Sequence, residues 1–380
     1  MTRKVVALTT SRADYGLLRP LLFGIRSHPE LDLALVVSGS HLSARYGRTI
    51  TEIERDGLPV AATIDLNLDA LPNTPLGATS VVAAVARESG KLFERLQPDL
   101  LLVLGDRYEL VGACISALLM RIPIAHIHGG EVTVGSTDDS IRHAISKFAS
   151  LHFPVDAIYA NRLAQLGESD DSIHLIDPPV SETIYGFQPA SLQTMEAIVG
   201  VNLQNPYLVL TFHPATQLGN QSLEELQELL IALRELPDVT VVVTGSNADP
   251  TGQLHQQLLD EFVQDQPTSR VSVTSLGHDS YLSLIYWSQG VIGNSSSGVI
   301  EAPLLCVPSL DVGCRQSGRV RRQSVTHVHA EHELIISELR KLMQLPRTRS
   351  SQPHVPNSTQ RVCEVLAYQP LSTLKRFVDR

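Results

Sequence analysis

The chain has 380 residues, 43% hydrophobic and 18% charged, a length and composition that predict about two globular domains. A net charge of −10 disfavours a nucleic-acid-binding surface, and no apolar run approaches the ~18 residues of a membrane span. The N-terminus lacks the pattern of a secretory signal, and the four cysteines are scattered without metal-binding spacing. We therefore expect a cytoplasmic protein with reduced thiols.

Short apolar strands alternate with helices through the first half of the sequence. Nearly continuous apolar strands between helices predict a parallel sheet that is covered on both faces. The expected strands are Lys4–Leu8, Leu31–Val37, Asp99–Leu104, Ile122–Ile127, Leu151–Pro154 and Ile173–Ile176. The expected helices are Leu17–Arg26, Thr79–Leu96, Leu110–Met120, Ser140–Ser150 and Ala157–Leu166, and Asp138 or Asp139 is the expected N-cap of the fourth.

The alternation stops at Asp177-Pro178-Pro179 and restarts near Pro206, which predicts a linker and a second domain of the same kind. Its first helix, Ser222–Leu236, is expected to begin with a capping box of Ser222 and Glu225. We therefore expect two doubly wound domains, residues 1–180 and 181–358, with a C-terminal helix 359–380 that packs back on the first. The expected strands of the second domain are Tyr207–Thr211, Val239–Val243, Val271–Thr274, Gly290–Ile292 and Ser309–Val312.

Polar residues gather where two strands of the first domain end. His126 lies in one strand, and His128, Glu131 and Asp139 follow it, while Asp106 follows a neighbouring strand. Because ligands bind at the carboxyl ends of strands in open α/β sheets, we expect these carboxylates to share a site. Clustered carboxylates raise each other's pKa, which suits proton abstraction and return. Two alternatives remain: Asp106 caps the next helix, or a metal holds His126 and His128, although spacing supplies no third firm ligand.

The stretch Thr9–Gly16 connects the first strand to the first helix and contains hydroxyls, backbone N–H groups and Arg12. Such groups at the positive end of a helix suit an anion. The alternative is a helix-capping loop with a surface arginine.

The stretch Gly293–Pro303 is the most informative part of the second domain, because it is rich in small and hydroxyl-bearing residues and leads into a helix. Backbone N–H groups and serine hydroxyls in that position can bind a diphosphate, and Glu301 could bind a ribose diol. A serine–glycine linker is the alternative. The candidate ligands are Asn294, Ser295, Ser296 and Glu301.

Two further stretches add polar groups to the same end of the second domain. Gly313–Arg319 supplies Arg315 and Arg319 close to a strand end, where they could bind an anion, and a solvated basic loop is the alternative. His213 ends the first strand of the domain, and a lone loop histidine is the alternative there.

Seven stretches in order along nearly the whole chain together resemble the hydrolysing UDP-N-acetylglucosamine 2-epimerases of bacterial sialic acid synthesis. Any one of them is a weak signal, but the ordered set is specific. They are Ser11–Gly16, Gly105–Glu109, His126–His143, His213–Thr216, Ser246–Asp249, Gly293–Pro303 and Gly313–Arg319.

The resemblance implies a GT-B fold, with two Rossmann-like domains and the nucleotide sugar in an interdomain cleft. It also implies anti elimination of UDP to give a 2-acetamidoglucal, followed by hydration to free N-acetylmannosamine. It implies no metal and no redox cofactor. The expected partner is a UDP-sugar substrate, with no nucleic acid and no membrane, and we expect a homo-oligomer.

The resemblance also implies roles for individual residues. Asp106, Glu131 and Asp139 would transfer protons, and His213 would assist departure of the phosphate. The diphosphate would be held by Arg12, Ser295, Ser296 and Arg319, and the ribose by Glu301. His126, Asn294 and Arg315 are further candidates for contact with the substrate.

Besides a GT-B glycosyltransferase, which the fold alone would allow, three other functions remain open at this stage. The first is the same reaction on UDP-N,N′-diacetylbacillosamine, because nothing in the sequence distinguishes the pocket around C4 and C6. The second is a non-hydrolysing epimerase, which is disfavoured because its usual Gly-Gly-x-Gln-Glu-Glu is replaced at positions 296–301. The third is a nucleotide-sugar-binding regulator without turnover, and the cluster of carboxylates argues against it.

Overall fold

The structure is a computed structural model in which the chain divides into two compact units. The first consists of Met1–Glu131, Thr137–Thr183 and Val355–Arg380, and the second of Val132–Ser136 and Ile184–His354. The five residues that follow Glu131 are therefore part of the second unit, which the division at residue 180 did not foresee. The structure describes residues 2–72, 74–215, 217–245, 252–273, 276–320, 322–347 and 355–380. The stretch Ser246–Asp249 and Thr216, both used for the resemblance, lie outside these ranges.

Within the described residues, each unit contains one six-stranded parallel sheet. In the first unit the strands are β1 (Arg3–Thr9), β2 (Leu31–Ser38), β3 (Val60–Ile64), β4 (Leu100–Leu104), β5 (Ile124–Ile127) and β6 (Leu151–Phe153). In the second they are β7 (Tyr207–Thr211), β8 (Thr240–Thr244), β9 (Arg270–Val273), β10 (Gly290–Gly293), β11 (Ser309–Val312) and β12 (Val325–Val328).

The two sheets have the same topology. Their orders are β3-β2-β1-β4-β5-β6 and β9-β8-β7-β10-β11-β12, which is the doubly wound Rossmann order in both cases. The predicted α/β fold class is confirmed. In each sheet the strand order reverses between the first and fourth strands, so β1/β4 and β7/β10 are the two switch points, where ligands bind in such folds.

Helices cover both sheets. They are α1 (Arg12–Ser27), α2 (Ile50–Arg55), α3 (Pro75–Leu96), α4 (Tyr108–Leu119), α5 (Thr137–Phe148), α6 (Ala157–Gln165), α7 (Val180–Tyr185), α8 (Leu192–Val199), α9 (Asn220–Arg234), α10 (Gly252–Gln264), α11 (His278–Trp287), α12 (Glu301–Leu304), α13 (His332–Gln344) and α14 (Ser358–Tyr368). Within the described residues, no helix is both long and apolar enough to cross a membrane.

The core of the first unit lies on both faces of its sheet, as its continuous apolar strands predict. Val5 and Ala7 of β1 pack on one face, with side chains of α1 and α14. Val6 and Leu8 pack on the other, with α3 and α4. This double burial fixes the strands, and with them the loops at their carboxyl ends.

The chain beyond α14 is not helical, so the expected helix 359–380 ends at Tyr368. The ammonium group of Lys375 donates to the carbonyls of Ser146, Lys147 and Ala149 at the end of α5, at 3.0, 2.9 and 2.6 Å. It also pairs with the buried carboxylate of Glu168 at 2.6 Å. The tail therefore caps the helix whose first turn carries the acidic pair 138–139.

Several other local predictions are wrong. Ile173–Ile176 is not a strand, since it contributes only one isolated bridge from Ile173 to His152. The expected linker contains α7 and α8. Strands β3 and β12 were not foreseen, because these edge strands are partly exposed and carry no continuous apolar run.

The expected capping box of the second unit is also wrong. Helix α9 begins at Asn220, two residues earlier than expected, and has no side-chain cap. The Ser222 hydroxyl instead accepts from the N–H of Ala215 at 2.9 Å. Glu225 hydrogen-bonds to Cys314, and burial raises its pKa despite that bond.

Candidate active site

The loop after β1 contains its own anion. The Asp14 carboxylate accepts from the backbone N–H groups of Thr10 and Ser11 at 3.0 and 2.9 Å, and from the Thr10 hydroxyl at 2.8 Å. Ser11 and Asp14 form a capping box at the start of α1. Burial raises the pKa of Asp14, against the hydrogen bonds from Thr9 and Thr10 that lower it. For these N–H groups and hydroxyls the alternative interpretation, a helix-capping loop, is therefore correct.

Arg12 is the part of this loop that remains available to a ligand. Its side chain is half-buried and forms no hydrogen bond or ion pair with any described residue.

A buried arginine connects the carboxylates that follow β4 and β5. Arg142 of α5 forms an ion pair with Asp106, and its second terminal nitrogen lies 3.7 Å from Glu131. Arg142 and Glu131 are 3% and 2% exposed. Burial alone would lower the pKa of Arg142, but Asp106 and Glu131 outweigh it and raise that pKa. The expectation of a like-charged cluster is therefore wrong, because a cation compensates two of its members.

His128 lies one residue beyond β5 and pairs with Glu131 through Nδ1. Its carbonyl accepts from Arg142 at 2.8 Å, and its N–H donates to the carbonyl of Phe153 at 3.1 Å. These contacts hold a left-handed backbone, with φ of 63°. A metal shared by His126 and His128 finds no support, since among the described residues no group of three or more potential ligands is arranged for a metal ion.

His126 is a fully buried histidine with both ring nitrogens engaged. Nδ1 lies 3.0 Å from the Ser146 hydroxyl, and Nε2 lies 2.7 Å from the carbonyl of Gly105. Burial lowers the pKa of His126 to about 3, so the ring is neutral. In this geometry His126 ties β5 to α5 and to the loop that carries Asp106, and it supports the cluster instead of offering a nitrogen to a substrate.

The acidic pair Asp138 and Asp139 lies in the first turn of α5, not at its N-cap, because the helix begins at Thr137. Asp139 is half-buried and lies 3.8 Å from His143 of the same helix. Both carboxylates help to raise the pKa of Arg142. Asp106 is not a helix cap either, since the residue in that position of α4 is Arg107.

In the second unit, Gly293 and Asn294 shape the switch point between β7 and β10. Gly293 has φ of 121°, and a Cβ there would lie 2.0 Å from the carbonyl oxygen of Thr211, so only glycine fits. The buried amide of Asn294 accepts from the N–H of His213 at 2.7 Å and donates to its carbonyl at 2.8 Å. The two loops are thereby fixed to each other, and Asn294 positions His213.

Ser295 and Ser296 follow Asn294 and are half-buried; Ser295 caps a short 3-10 helix, and Ser296 is its first residue. The Ser295 hydroxyl accepts from the N–H of Ser297 at 3.3 Å. The Ser296 hydroxyl has no hydrogen-bond partner among the described residues. Glu301 is the first residue of α12. The alternative of a serine–glycine linker is therefore excluded, and two serine hydroxyls lie at the carboxyl end of β10.

The two arginines of the following loop bind backbone oxygen atoms. Arg315 donates to the carbonyl of Asn294 at 3.2 Å. Arg319 donates to the carbonyl of Val132 at 3.3 Å and lies 3.4 Å from the Thr133 hydroxyl. The backbone carbonyl of Arg315 also accepts a hydrogen bond from the backbone N–H of Val134. Segment 132–136 is therefore built into the second unit by this basic loop.

The structure thus brings together Asp106 and Glu131 in the first unit, and His213, Asn294 and Arg315 in the second. Arg142 was missed, and His128 was considered only as a metal ligand. A charged residue at 142 falls on the buried face of α5, together with Ile145 and Ser146, and that position could have indicated a buried acidic partner. The pairing of His128 with Glu131 had no comparable signal.

Two doubly wound parallel sheets with polar groups at both switch points place the chain in the GT-B-like class. In agreement, the solved UDP-GlcNAc 2-epimerase of Methanocaldococcus jannaschii in complex with UDP-GlcNAc and UDP superposes with a TM-score of 0.78 at 17% identity, covering 97% of this chain and 100% of that one.

The sequence comparisons identify the family. The family model described as UDP-N-acetylglucosamine 2-epimerase matches residues 24–367. The UDP-N-acetylglucosamine 2-epimerase of Neisseria meningitidis serogroup B is 32% identical, with 99% of both chains covered. The GDP/UDP-N,N′-diacetylbacillosamine 2-epimerase (hydrolyzing) of Campylobacter jejuni is 34% identical, with 85% of this chain and 83% of that one covered. The chain belongs to the UDP-N-acetylglucosamine 2-epimerase family of enzymes.

Proposed function

We propose that this protein is a hydrolysing UDP-N-acetylglucosamine 2-epimerase, which converts UDP-N-acetylglucosamine and water into N-acetylmannosamine and UDP. Its product would serve the synthesis of sialic-acid-type sugars. The observation that carries the proposal is the buried cluster of Asp106, Glu131, His128 and Arg142 at the strand ends of a chain in this family. Binding alone gains little from buried carboxylates beside a histidine, whereas proton transfer requires such groups.

The first half of the reaction is an anti elimination. A base removes the proton from C2, the electrons of that bond form a C1=C2 double bond, and the C1–O bond breaks with UDP taking its electron pair. Proton transfer is assigned to the first unit, with Asp106, Glu131 and Asp139 as candidates. His213 of the second unit would assist departure of the diphosphate.

The second half is a hydration of the 2-acetamidoglucal. Water supplies a hydroxyl to C1, and a proton reaches C2 from the face opposite to the one it left, which inverts that carbon. The net change is one water consumed. Each half needs a positioned acid or base, and the paired charges of the cluster hold such groups in place.

The nucleotide would be bound mainly by the second unit. The hydroxyls of Ser295 and Ser296 lie at the carboxyl end of β10, where this fold binds phosphates. Arg319 and Arg315 supply positive charge, and Glu301 would take the ribose. In the first unit, the unengaged guanidinium of Arg12 would contribute to the diphosphate.

A second candidate is the same reaction on UDP-N,N′-diacetylbacillosamine. The observation that favours it is the relative in Campylobacter jejuni, whose identity of 34% is similar to the 32% of the Neisseria meningitidis relative. The two substrates differ at C4 and C6 and undergo the same chemistry at C1 and C2, so the cluster serves both equally.

Product identification in deuterium oxide tests both candidates. With UDP-N-acetylglucosamine we expect UDP and N-acetylmannosamine that carries deuterium at C2, observed by NMR. Release of UDP from the diacetamido analogue alone would establish the second candidate. Bound but unchanged UDP-sugars would contradict both and indicate a regulator. E131Q should lose turnover and retain UDP binding, whereas E94Q, at an exposed glutamate of α3, should retain both.

We further infer that the enzyme acts in the cytoplasm as a homo-oligomer. Its four cysteines are free, as expected in a reducing compartment. The end of α4 and the residue after it expose Ile115, Leu118, Leu119 and Met120, an apolar row typical of a contact between subunits. Light scattering on wild-type protein and L119E tests this, and a monomeric wild type would contradict it.

A further inference from the structure

His128 combines a buried ring with one bonded and one unbonded nitrogen. Nδ1 is bonded to Glu131. Nε2 is inaccessible to solvent and has no hydrogen-bond partner among the described residues, and the side chain is 3% exposed. Buried polar atoms are nearly always paired. The unpaired Nε2 of His128 lies beyond the carboxyl end of β5, where such folds bind ligands, and it therefore indicates a place for a ligand atom.

The partner of Nδ1 determines which tautomer the neutral ring adopts. An ionised Glu131 can only accept a hydrogen bond, so Nδ1 must carry the hydrogen and Nε2 keeps its lone pair. A neutral imidazole in this tautomer is a base at Nε2. The carboxylate behind it stabilises the imidazolium that forms when Nε2 takes a proton, as in other oriented histidine–carboxylate pairs.

The backbone of His128 is held in an uncommon conformation. With φ of 63° it lies in the left-handed region, which residues other than glycine seldom adopt. The N–H is fixed by Phe153 and the carbonyl by Arg142. Uncommon backbone conformations that the surroundings impose are concentrated at functional sites. The surroundings therefore fix the direction of the imidazole.

The neighbouring carboxylates are already engaged. Asp106 forms an ion pair with Arg142, and Glu131 is bonded to His128 and lies 3.7 Å from Arg142. Either carboxylate would have to give up a charged or hydrogen-bonded partner on accepting a proton, and Nε2 of His128 would not.

We propose that Nε2 of His128 takes the C2 proton of the UDP-sugar, and that Glu131 is a positioning residue which acts through it. This inference rests on the proposed function. The C2–H electrons form the C1=C2 bond, UDP leaves with the electrons of the C1–O bond, and the proton remains on Nε2 until it is lost to water. Proton delivery to the opposite face in the hydration step falls to another group, so that step does not require His128.

The principal test is H128N. Asparagine tolerates a left-handed φ better than most residues, and its amide N–H can still donate to Glu131, so the variant removes little more than the Nε2 base. We expect UDP release to fall about 100-fold or more, the usual contribution of a general base. UDP affinity by calorimetry should stay within about threefold, and hydration of supplied 2-acetamidoglucal within about tenfold.

H152N is the matched control. His152 is also fully buried and also bonds a buried glutamate, Glu168, through one ring nitrogen. It lies in the middle of β6 and not beyond a strand end. H152N should lower the melting temperature and leave UDP release per folded enzyme within about threefold. If H128N fails to bind UDP, H128G, which is unstrained at this φ, replaces it in the same assay.

A double-mutant cycle tests the role assigned to Glu131. If Glu131 acts only through His128, H128N/E131Q releases UDP no more slowly than H128N alone. A double variant slowed by the product of the two single factors would overturn the positioning role, because Glu131 would then contribute independently.

The outcomes separate this inference from the proposed function. Wild-type protein that releases UDP, with H128N within about threefold of it, would overturn the role of His128 alone. Equal loss of both half-reactions in H128N would also overturn it, because the ring would then be structural. Wild-type protein inert toward both UDP-sugars would overturn the proposed function and this inference together. Selective loss of UDP release supports the inference.

Discussion

The loops at the carboxyl ends of the strands differ between the two units in what stabilises them. In the first unit, the buried guanidinium of Arg142 pairs with Asp106 and approaches Glu131, so opposite charges hold the cluster. In the second, the amide of Asn294 holds the main chain of His213, and Gly293 permits the turn. No charge pair is involved in that contact.

The difference has a physical consequence. A buried charge cluster is sensitive to the loss of any one member, because the remaining charge has no partner in a medium that solvates it poorly. A loop held by backbone contacts is sensitive to its conformation instead, and a single Cβ can prevent it. The first unit should therefore respond to changes of charge and pH, and the second to changes of shape.

The largest effect is expected from R142M, which leaves Asp106 and Glu131 without their shared cation. Breaking a buried ion pair by removing one partner costs about 3–5 kcal/mol. The free energy of unfolding in urea measures this. R234M is the control, because Arg234 and Asp265 form an exposed pair for which a loss of about 0.2–1 kcal/mol is expected. Similar losses in both variants would contradict the importance of charge in the first unit.

G293A is expected to destabilise the second unit by about 2–4 kcal/mol, through a strained φ and a clash with the Thr211 carbonyl. G298A is the control, since Gly298 has no left-handed φ and the nearest contact of an added Cβ would be 3.7 Å. That variant should stay within about 1 kcal/mol of wild type. Urea unfolding measures both, and a tolerated G293A would show that the turn can be made another way.

N294A removes both hydrogen bonds to the main chain of His213 and leaves two backbone groups unpaired. We expect a loss of about 1–3 kcal/mol and weaker UDP binding, because the serine loop shares this support. Calorimetric titration with UDP and urea unfolding measure the two effects. N202A, at an exposed asparagine, should change neither. Unchanged UDP affinity in N294A would contradict the placement of the nucleotide at this loop.

The smallest effect is expected from Glu168, and it disappears in acid. Burial raises the pKa of Glu168, but hydrogen bonds from His152, Lys147 and Lys375 outweigh it and lower the pKa to about 2. Because the folded value lies below the unfolded one, the contribution to stability is complete above the unfolded pKa of about 4.3 and is lost as the pH falls toward 2.

The measurement is the melting temperature of wild type and E168Q at pH 7, 4 and 3. E168Q should be less stable by about 1–2 kcal/mol at pH 7, with the gap closing below about pH 4. E94Q, at an exposed glutamate on α3, is the control and should follow wild type throughout. If the difference in stability between wild type and E168Q instead grew as the pH fell, it would contradict a lowered pKa of Glu168.

The site was predictable to the extent that it depends on strand ends. Asp106, Glu131 and Asn294 each follow a continuous apolar strand, and parallel strands bring their carboxyl ends to one edge. The groups to which these side chains and loops are hydrogen-bonded or ion-paired were not predictable. Asp14 satisfies the N–H groups assigned to a substrate anion, and Arg142 reaches Asp106 across 36 positions of the chain. Such pairings depend on whether a side chain from one helix or strand extends far enough to contact a group on another.

The sequence by itself determined the alternation of strand and helix, the two doubly wound sheets and the family, because apolar periodicity and ordered motifs are local properties of the chain. Only the tertiary structure decided that Arg142 compensates the carboxylates, that His126 is a structural residue, and that His128 keeps one nitrogen unbonded. The reason is that a side chain's charge and hydrogen-bond state depend on which distant groups surround it, and sequence spacing does not encode those neighbours.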